Sequence, residues 1–223
     1  SSTPWRVCWV RLRAIWATTR AVSSLSIPRF YDVTSGSIKI DGIDVRDFNI
    51  KTLRSKIGFI RQKTLLFTGS IKSNIKFGKR KASHEEMVHS AKVAQAYDFI
   101  NKKEKKFDEP IGEGGSNVSG GQKQRLSIAR ALVRKPEIYI FDDSFSALDF
   151  KTDAILRAEL KKETTHAIVL IVAQRIGSIM DADKIIVLDE GNVVGIGKHK
   201  ELLKTCSVYK EIALSQLTEE ELA

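Results

Sequence analysis

The sequence lacks the features that are typical of secreted or membrane-spanning proteins. Its only cysteines are Cys8 and Cys206, which are too few for a disulfide framework, so a reduced, cytosolic setting is expected. No run of about 18 apolar residues occurs, and the first residues lack the continuous apolar stretch of a secretory signal. A length of 223 residues nevertheless suits one α/β domain, or one domain with a small insertion, and a hydrophobic content of 42% supports a core.

Lysine and tryptophan are unevenly distributed along the chain. No lysine precedes Lys39, whereas all three tryptophans lie within the first 16 residues. Residues 1–22 therefore differ in composition from the rest. Two interpretations stay open. The segment is a divergent strand, since Val10, Leu12 and Ala14 alternate with arginines, or it is non-native or misread sequence.

The formal net charge of +10 invites a nucleic-acid interpretation. Four of these charges are arginines within residues 1–20, which leaves +6 for the remainder. The densest basic run after them is NKKEKKFDEP, and acids interrupt it. Such a run is typical of a solvated helix end or loop. We therefore predict no nucleic-acid partner, although a soluble protein acting on nucleic acid stays as an alternative.

Hydrophobic patterning predicts strands that alternate with helices. Continuous apolar runs in EIYIFDD and HAIVLIVAQR suit parallel strands covered on both faces. Hairpins are predicted at Asp41-Gly42 and at Glu190-Gly191-Asn192. These signals predict an α/β fold with a mainly parallel sheet and a small antiparallel part.

Two helical regions stand out. Ser83 and Glu86 form a predicted capping box that opens SHEEMVHSAKVAQAYDFI. Only helical signals occur over roughly residues 64–118, which predicts a helical insertion subdomain of about residues 64–125. A single C-terminal helix is predicted over KHKELLKTCSVYKEIALSQ. The four histidines are interpreted as surface residues, and they are His84, His89, His166 and His199.

Two adjacent carboxylates, Asp142 and Asp143, follow the apolar run IYIF. Acids at the carboxyl end of a buried parallel strand lie where α/β folds bind their ligands. The first acid is expected to hold Mg²⁺, which binds through one or two carboxylates plus substrate phosphates. The second is expected to polarise an attacking water. The alternative is a pair of helix-capping acids.

A glycine-rich loop, NVSGGQKQR, precedes a predicted helix. Ser119 is a candidate N-cap, and Gly120 and Gly121 leave their backbone N–H groups accessible before the helix begins at Gln122. Accessible amides at a helix N-terminus form an anion site. The alternative is an ordinary glycine-rich turn.

These motifs occur in an order that resembles the nucleotide-binding domains of ATP-binding cassette (ABC) transporters of the exporter type. The resemblance covers about residues 24–223. IRQ resembles the Q-loop, GEGG the exporter X-loop, VSGGQ the family signature, IYIFD the Walker B strand and SALD the D-loop, and IVAQR occupies the switch position. The resemblance implies a P-loop NTPase-like core with a helical insertion subdomain.

The same resemblance implies the ligands and the roles of the residues. ATP and Mg²⁺ are the expected cofactors, with Asp142, Gln62 and Ser23 as metal contacts. Asp143 and Gln174 occupy the catalytic positions. The expected nucleotide contacts include Gln62 and Ser23 and also the signature and D-loop residues, which are Ser119, Gly120, Gly121, Gln122 and Asp149.

The resemblance also implies partners. The signature would bind ATP held by a second nucleotide-binding domain, and GEGG would touch the coupling helices of a transmembrane domain. The implied location is the cytoplasmic face of a bacterial plasma membrane.

Two catalytic positions depart from the family pattern. Asp143 stands where the family has Glu, so its carboxylate is expected to lie about 1 Å back from the water, a displacement that can cost roughly 100-fold in rate. Gln174 stands at the switch-histidine position, and an amide side chain can neither carry a charge nor transfer a proton. The pair resembles the non-hydrolysing half of heterodimeric exporters.

The phosphate loop is missing. The motif G-x-x-x-x-G-K-[ST] supplies backbone amides and a lysine to the phosphates. The matching stretch is WATTRAVS, in which Trp16 and Ala21 replace the two glycines of this motif and Val22 replaces the lysine. Thr19 replaces a further glycine that the family resemblance implies. Only Ser23 is kept. We therefore predict that residues 1–22 are an anomalous segment before an ABC domain of residues 23–223, which binds ATP poorly by itself.

The leading functional hypothesis is the degenerate-site ATPase domain of an ABC exporter that moves an amphipathic substrate, such as a drug or a lipid. A second hypothesis keeps the fold without enzymatic activity, as a regulatory module that lends its signature loop to a partner.

Overall fold

The computed structural model describes residues 12–17 and 22–218, with side chains from Ser24 onward. The strands in these ranges are β1 (Leu12–Ala17), β2 (Lys39–Ile40), β3 (Ile43–Asp44), β4 (Ile57–Ile60), β5 (Gly69–Ser70), β6 (Pro110–Ile111), β7 (Ile138–Asp142), β8 (Ile168–Ala173), β9 (Lys184–Asp189) and β10 (Asn192–Gly197).

The helices are α1 (Val22–Ser26), α2 (Ile50–Ser55), α3 (Ile71–Lys76), α4 (His84–Val93), α5 (Tyr97–Asn101), α6 (Gly120–Leu132), α7 (Phe150–Glu163), α8 (His199–Thr205) and α9 (Ser207–Gln216). Across the described ranges, no helix has both the length and the apolar character to cross a membrane. The alternation of strands and helices confirms the predicted α/β class.

The described residues up to Ile57, together with those from Ile168 onward, form one compact unit. Four of its strands are hydrogen-bonded in the order β10-β9-β1-β8. β1 is parallel to both neighbours, β8 and β9, and β10 closes the order as an antiparallel partner of β9. The continuous apolar run of β8 therefore forms a parallel strand, as expected for a strand buried on both faces.

β1 lies inside the segment of unusual composition. Its Leu12 pairs with Val169 of β8, and its Arg13 pairs with Lys184 of β9. Leu12 and Ala14 of the predicted divergent strand thus lie in a parallel strand. Val10 and residues 18–21 lie outside the described residues. The non-native or misread origin of residues 1–22 stays a prediction.

Both hairpins form where turn chemistry predicts them. Asp41 and Gly42 have φ values of 52° and 82°, and Glu190 and Gly191 have φ values of 47° and 82°. Two successive residues with positive φ define the turn that matches the twist of antiparallel strands. The hairpins β2–β3 and β9–β10 are therefore confirmed.

The prediction of one C-terminal helix is wrong. The helix is interrupted at Cys206, which has an extended backbone with a φ of −125° and a ψ of 104° and separates α8 from α9. Cys206 is buried, and its Sγ lies 3.8 Å from the Val194 carbonyl oxygen. The break lets Leu202 of α8 and Tyr209 of α9 both be buried.

The interpretation of all four histidines as surface residues is wrong for His199, which is buried. It is 7% exposed, and its Nδ1 atom shares a 2.7 Å hydrogen bond with the Tyr209 hydroxyl. Its Nε2 atom is buried without a hydrogen-bond partner among the described residues. Burial, with a smaller contribution from Lys200, lowers the pKa of the His199 imidazole below 6.5. The neutral ring is therefore the form that the fold stabilises.

This lowered pKa predicts how stability depends on pH. As the pH falls through the ordinary histidine range, the unfolded chain takes up a proton that folded His199 does not, so the free energy of unfolding decreases. Denaturant melts between about pH 8 and pH 5 should show this decrease, and His199→Gln should reduce it. His166→Gln, at an exposed histidine, is the matched control. An equal pH dependence in His199→Gln and wild type would contradict the expectation.

Residues 58–167 form the second compact unit. Here β7 is hydrogen-bonded to β4, and α3, α4, α5 and the start of α6 lie within the predicted helical subdomain of about residues 64–125. One detail differs from a purely helical insertion, because Gly69 and Ser70 pair with Ile111 and Pro110 in a short antiparallel ladder. Residues this few in a strand give no periodic signal.

The capping box of α4 is confirmed. The Ser83 hydroxyl accepts from the Glu86 N–H at 3.2 Å, and the Glu86 carboxylate accepts from the Ser83 N–H at 3.0 Å. The helix ends earlier than predicted, because Gln95 adopts a φ of 55° and α5 begins at Tyr97. The buried residues Met87 and Ala91 hold α4 in the unit.

Candidate functional site

Two predicted site residues meet in the second unit. The Gln62 side-chain amide donates a hydrogen bond of 2.6 Å from Nε2 to the Asp143 carboxylate. They are far apart in sequence but follow neighbouring strands, since Gln62 comes just after β4 and Asp143 directly after β7. The carboxyl ends of these strands therefore place an amide and a carboxylate together, where α/β folds bind ligands.

The turn after β7 has an unusual backbone. Asp143 has a φ of 46°, in the left-handed region that Asp and Asn tolerate better than longer side chains. The next residue, Ser144, is buried and donates a 2.8 Å hydrogen bond to the Ile60 carbonyl. This bond ties the turn to the end of β4. The Asp143 carboxylate is therefore aimed by the backbone as well as by Gln62.

Asp142 ends β7 and is partly buried. Its carboxylate and the Gln62 amide oxygen are the kind of hard oxygen donors that Mg²⁺ prefers. Within residues 24–218, no group of three or more His, Cys, Asp or Glu side chains is placed to hold a metal. Mg²⁺ uses few protein carboxylates and takes its other ligands from phosphates and water. The residues present fit the ion.

The predicted glycine-rich loop opens a helix. Ser119 caps α6, and its hydroxyl accepts from the Gln122 N–H at 3.3 Å. The Gln122 side chain returns the bond by accepting from the Ser119 N–H at 3.1 Å. The helix begins at Gly120, two residues before the predicted start, so Gly120 and Gly121 hold its first positions. Amides at those positions have no partner within a helix, which suits an anion.

The helix α6, which begins within the signature VSGGQ and is called the signature helix below, also packs against the loop that follows Asp142 and Asp143. A Cβ atom added at Gly121 would lie 3.3 Å from the Ala147 carbonyl oxygen, whereas one added at Gly120 would meet nothing within 4 Å. Gly121 thus allows close packing, and Gly120 leaves open space at the helix terminus. Glycine serves a different purpose at each position.

Asp149, predicted as a nucleotide contact, caps α7. Its carboxylate accepts from the Thr152 N–H at 2.9 Å and from the Thr152 hydroxyl at 2.8 Å. These hydrogen bonds hold the pKa of Asp149 below its usual range. This capping role was not predicted from the sequence, although Asp before a helical run is a known N-cap signal.

Gln124 is a site-supporting residue that the sequence analysis missed. It is 2% exposed, its amide oxygen accepts from the Thr64 hydroxyl, and its Nε2 donates to the Arg61 carbonyl at 3.4 Å. It therefore fixes the stretch around Gln62 to the signature helix. A periodic signal existed, because Gln124 shares the buried helix face of Ile128 and Ala131.

The two remaining predicted residues belong to the first unit. Gln174 is exposed and directly follows β8. Ser23 lies in α1, and its side chain is outside the described part of the chain. Of the altered phosphate-loop positions, Trp16 lies in β1 and Val22 begins α1, whereas Thr19 and Ala21 lie outside the described residues.

A mainly parallel α/β fold, strand-end acids and a glycine-opened helix N-terminus define a nucleotide-binding domain as the class of this protein.

Comparisons with known proteins specify the class further. The family model for ABC transporters matches residues 23–146, which is more than half of the chain. An uncharacterized ABC transporter ATP-binding protein of Mycobacterium tuberculosis is 43% identical over 193 residues, covering 85% of this chain and 33% of the relative. A putative multidrug export ATP-binding/permease protein of Staphylococcus aureus is 44% identical over 186 residues, covering 83% and 32%.

A solved structure is also similar. The structure of a bacterial Atm1-family ABC exporter with ATP bound has a TM-score of 0.90 and 35% identity, and the match covers 94% of this chain and 37% of that chain. The chain thus spans about a third of the length of the curated relatives described above.

The chain belongs to the ABC transporter family. Domains of this family bind ATP, usually with Mg²⁺.

Proposed function

We propose that this chain is the ATP-binding domain of a bacterial ABC exporter and that it belongs to the half whose own ATP site is degenerate. The observation that carries the proposal is the 2.6 Å hydrogen bond between Gln62 and Asp143 at the strand ends. It brings the Q-loop amide to the carboxylate at the position that polarises water in the family. The exported substrate would be amphipathic, such as a drug or a lipid.

The family resemblance assigns three residues as contacts of Mg²⁺ and the ATP phosphates. Asp142 and Gln62 lie at the ends of neighbouring strands, and Ser23 supplies the hydroxyl kept from the phosphate loop. When bound, the ion would neutralise charge on the β- and γ-phosphates. Gln62 would orient the Asp143 carboxylate and couple the site to the transmembrane domain, which GEGG (residues 112–115) would also contact.

The side chains at two positions support a degenerate site. Asp143 is one methylene shorter than the family's Glu, and its carboxylate accepts a hydrogen bond from Gln62. A water that is misplaced by about 1 Å from its base can lose roughly 100-fold in rate. Gln174 could donate a hydrogen bond to a γ-phosphate but could neither carry a charge nor move a proton.

The signature helix would act on the ATP of a partner. Ser119, Gly120 and Gly121 present a hydroxyl and helix N-terminal amides, which suit the phosphates of a nucleotide held by a second nucleotide-binding domain. The partner would be a different half-transporter that keeps the catalytic Glu and His. The complex would work at the cytoplasmic face of the plasma membrane. Because the relatives are transporters, a role on nucleic acid is not favoured.

Equilibrium binding of a fluorescent ATP analogue to the purified chain with Mg²⁺ tests the degenerate site. We expect no saturable binding in the micromolar range, because no lysine precedes Lys39 and three glycine positions of the phosphate loop carry larger residues. Micromolar affinity that is displaced by unlabelled ATP would contradict the proposal. Heat-denatured chain measures non-specific uptake of the fluorophore.

A further inference from the structure

A glutamine at the end of α9 holds the loop that carries Gln174. The Gln216 Nε2 donates to the Gln174 carbonyl oxygen at 2.9 Å, and the Gln216 Oε1 accepts from the Ile176 N–H at 2.9 Å. One primary amide thus binds the backbone on both sides of Arg175. All of these residues belong to the first unit.

The Gln216 side-chain amide has the length and the two groups needed for both bonds. The loop offers one acceptor and one donor, and Gln presents a donor and an acceptor on one planar group. A Glu side chain could still accept from the Ile176 N–H, but it would place a carboxylate oxygen against the Gln174 carbonyl. A Met side chain has nearly the same length and could make neither bond to any useful extent.

The groups at both ends of this contact are anchored. On the helix side, Tyr209 and Ala213 of α9 are fully buried, and Tyr209 is hydrogen-bonded to His199 of α8. On the loop side, Ile176 and Ile179 are fully buried. Gln174 itself is exposed. The Gln216 amide therefore joins two fixed points across the base of an exposed side chain.

We infer that Gln216 is a positioning residue for the switch loop, which sets where the Gln174 side chain meets the γ-phosphate. This inference rests on the proposed function, since Gln174 holds the switch position only in that account. Gln216 makes no contact with nucleotide in it. It acts by holding the Gln174 carbonyl and the Ile176 N–H, so that the backbone of the switch residue keeps one orientation.

Hydrogen exchange of the unmodified chain and of three variants tests the contact itself. In Gln216→Met, the Ile176 amide is expected to exchange between about twofold and tenfold faster, the effect of one lost hydrogen bond. Gln216→Glu, which keeps that acceptor, is expected to stay closer to wild type. Leu214→Met places the same side chain at an exposed position of α9 and is the matched control. An unchanged Ile176 rate in Gln216→Met would overturn the inference.

Steady-state kinetics tests the positioning role. This test requires a chain that binds ATP by itself. The restored chain carries four substitutions in the phosphate loop, Trp16→Gly, Thr19→Gly, Ala21→Gly and Val22→Lys. For the kinetics, Asp143→Glu is added to the restored chain. In this background, Gln216→Met and Gln216→Glu are both expected to lower kcat about tenfold while KM for ATP changes less than about twofold, because orientation is lost and binding is kept. Leu214→Met should leave both constants unchanged.

Two outcomes would distinguish a failure of the positioning role from a failure of the proposed function. If Ile176 exchanges faster but kcat is unchanged in Gln216→Met, then Gln216 only stabilises the fold and the positioning role is wrong. If the restored chain with Gln216 intact neither binds nor hydrolyses ATP, then the proposed function fails and the positioning role fails with it. The exchange rates would still decide independently whether Gln216 holds the loop.

Discussion

The restored chain is expected to bind ATP at least about 100-fold more tightly than the unmodified chain. The new lysine would make charge-assisted hydrogen bonds to the β- and γ-phosphates, which contribute about 1.5–3 kcal/mol. Glycine at positions 16, 19 and 21 would let the backbone amides approach the phosphates. The order of a strand, a short connection and a helix already exists, since β1 ends at Ala17 and α1 begins at Val22.

A chain with the three glycine substitutions but native Val22 is the matched control. It separates the lysine from the loop backbone, and it is expected to bind ATP much more weakly than the restored chain. Equal affinities of the restored and unmodified chains would show that the phosphate loop is not what limits binding. The gene sequence over codons 14–26 bears on the same point, because a phosphate loop in another reading frame would identify residues 1–22 as misread.

A second large effect is expected at the catalytic positions. In the restored chain, Asp143→Glu together with Gln174→His should raise the rate of ATP hydrolysis at least about 100-fold. The added methylene would move the carboxylate toward the water, and the imidazole would supply a group that can be charged. The measurement is phosphate release at saturating ATP.

The backbone at Asp143 makes the choice of control important. Its φ of 46° suits Asp better than Glu, so each variant should first be compared by thermal melting. Asp143→Asn keeps the shape of the native side chain and removes its charge, and it is expected to abolish the residual activity. If the restored chain hydrolyses ATP equally fast with Asp143 and with Glu at that position, then the shorter acid does not make the site degenerate.

Local signals in the sequence predicted those parts of the fold that depend on near neighbours. The Asp41-Gly42 turn and the Ser83–Glu86 capping box both form as expected, since each is fixed by residues a few positions apart. The breaks at Gln95 and Cys206 were missed. At each, packing of buried residues on both sides overrides a continuous helical pattern, and neither residue is a Gly or Pro that would mark the break.

The candidate site residues come from sequence motifs, whereas the contacts between them come from the structure. The strand-end rule led to Asp142 and Asp143, and N-cap chemistry led to Ser119. Gln124 and Gln216 bind backbone groups that are distant in sequence, and these contacts depend on how separate helices and loops pack against each other. No spacing along a single chain encodes such contacts, so only the structure shows them.

Trans-complementation tests the central claim most directly, namely that this chain lends its signature loop to ATP bound by another domain. The restored chain with Asp143→Glu, Gln174→His and Gly120→Glu would bind ATP but repel it from its own signature. The Gly120→Glu substitution should not disturb the fold, because a Cβ atom there meets nothing within 4 Å and an acid suits a first helical turn.

The measurement is the ATPase rate of this variant as unmodified chain is added. We predict little activity from either chain alone and a saturable rise on mixing, which is lost when the added chain carries Gly120→Glu as well. No rise on mixing, or a rise that persists with Gly120→Glu in both chains, would contradict the account.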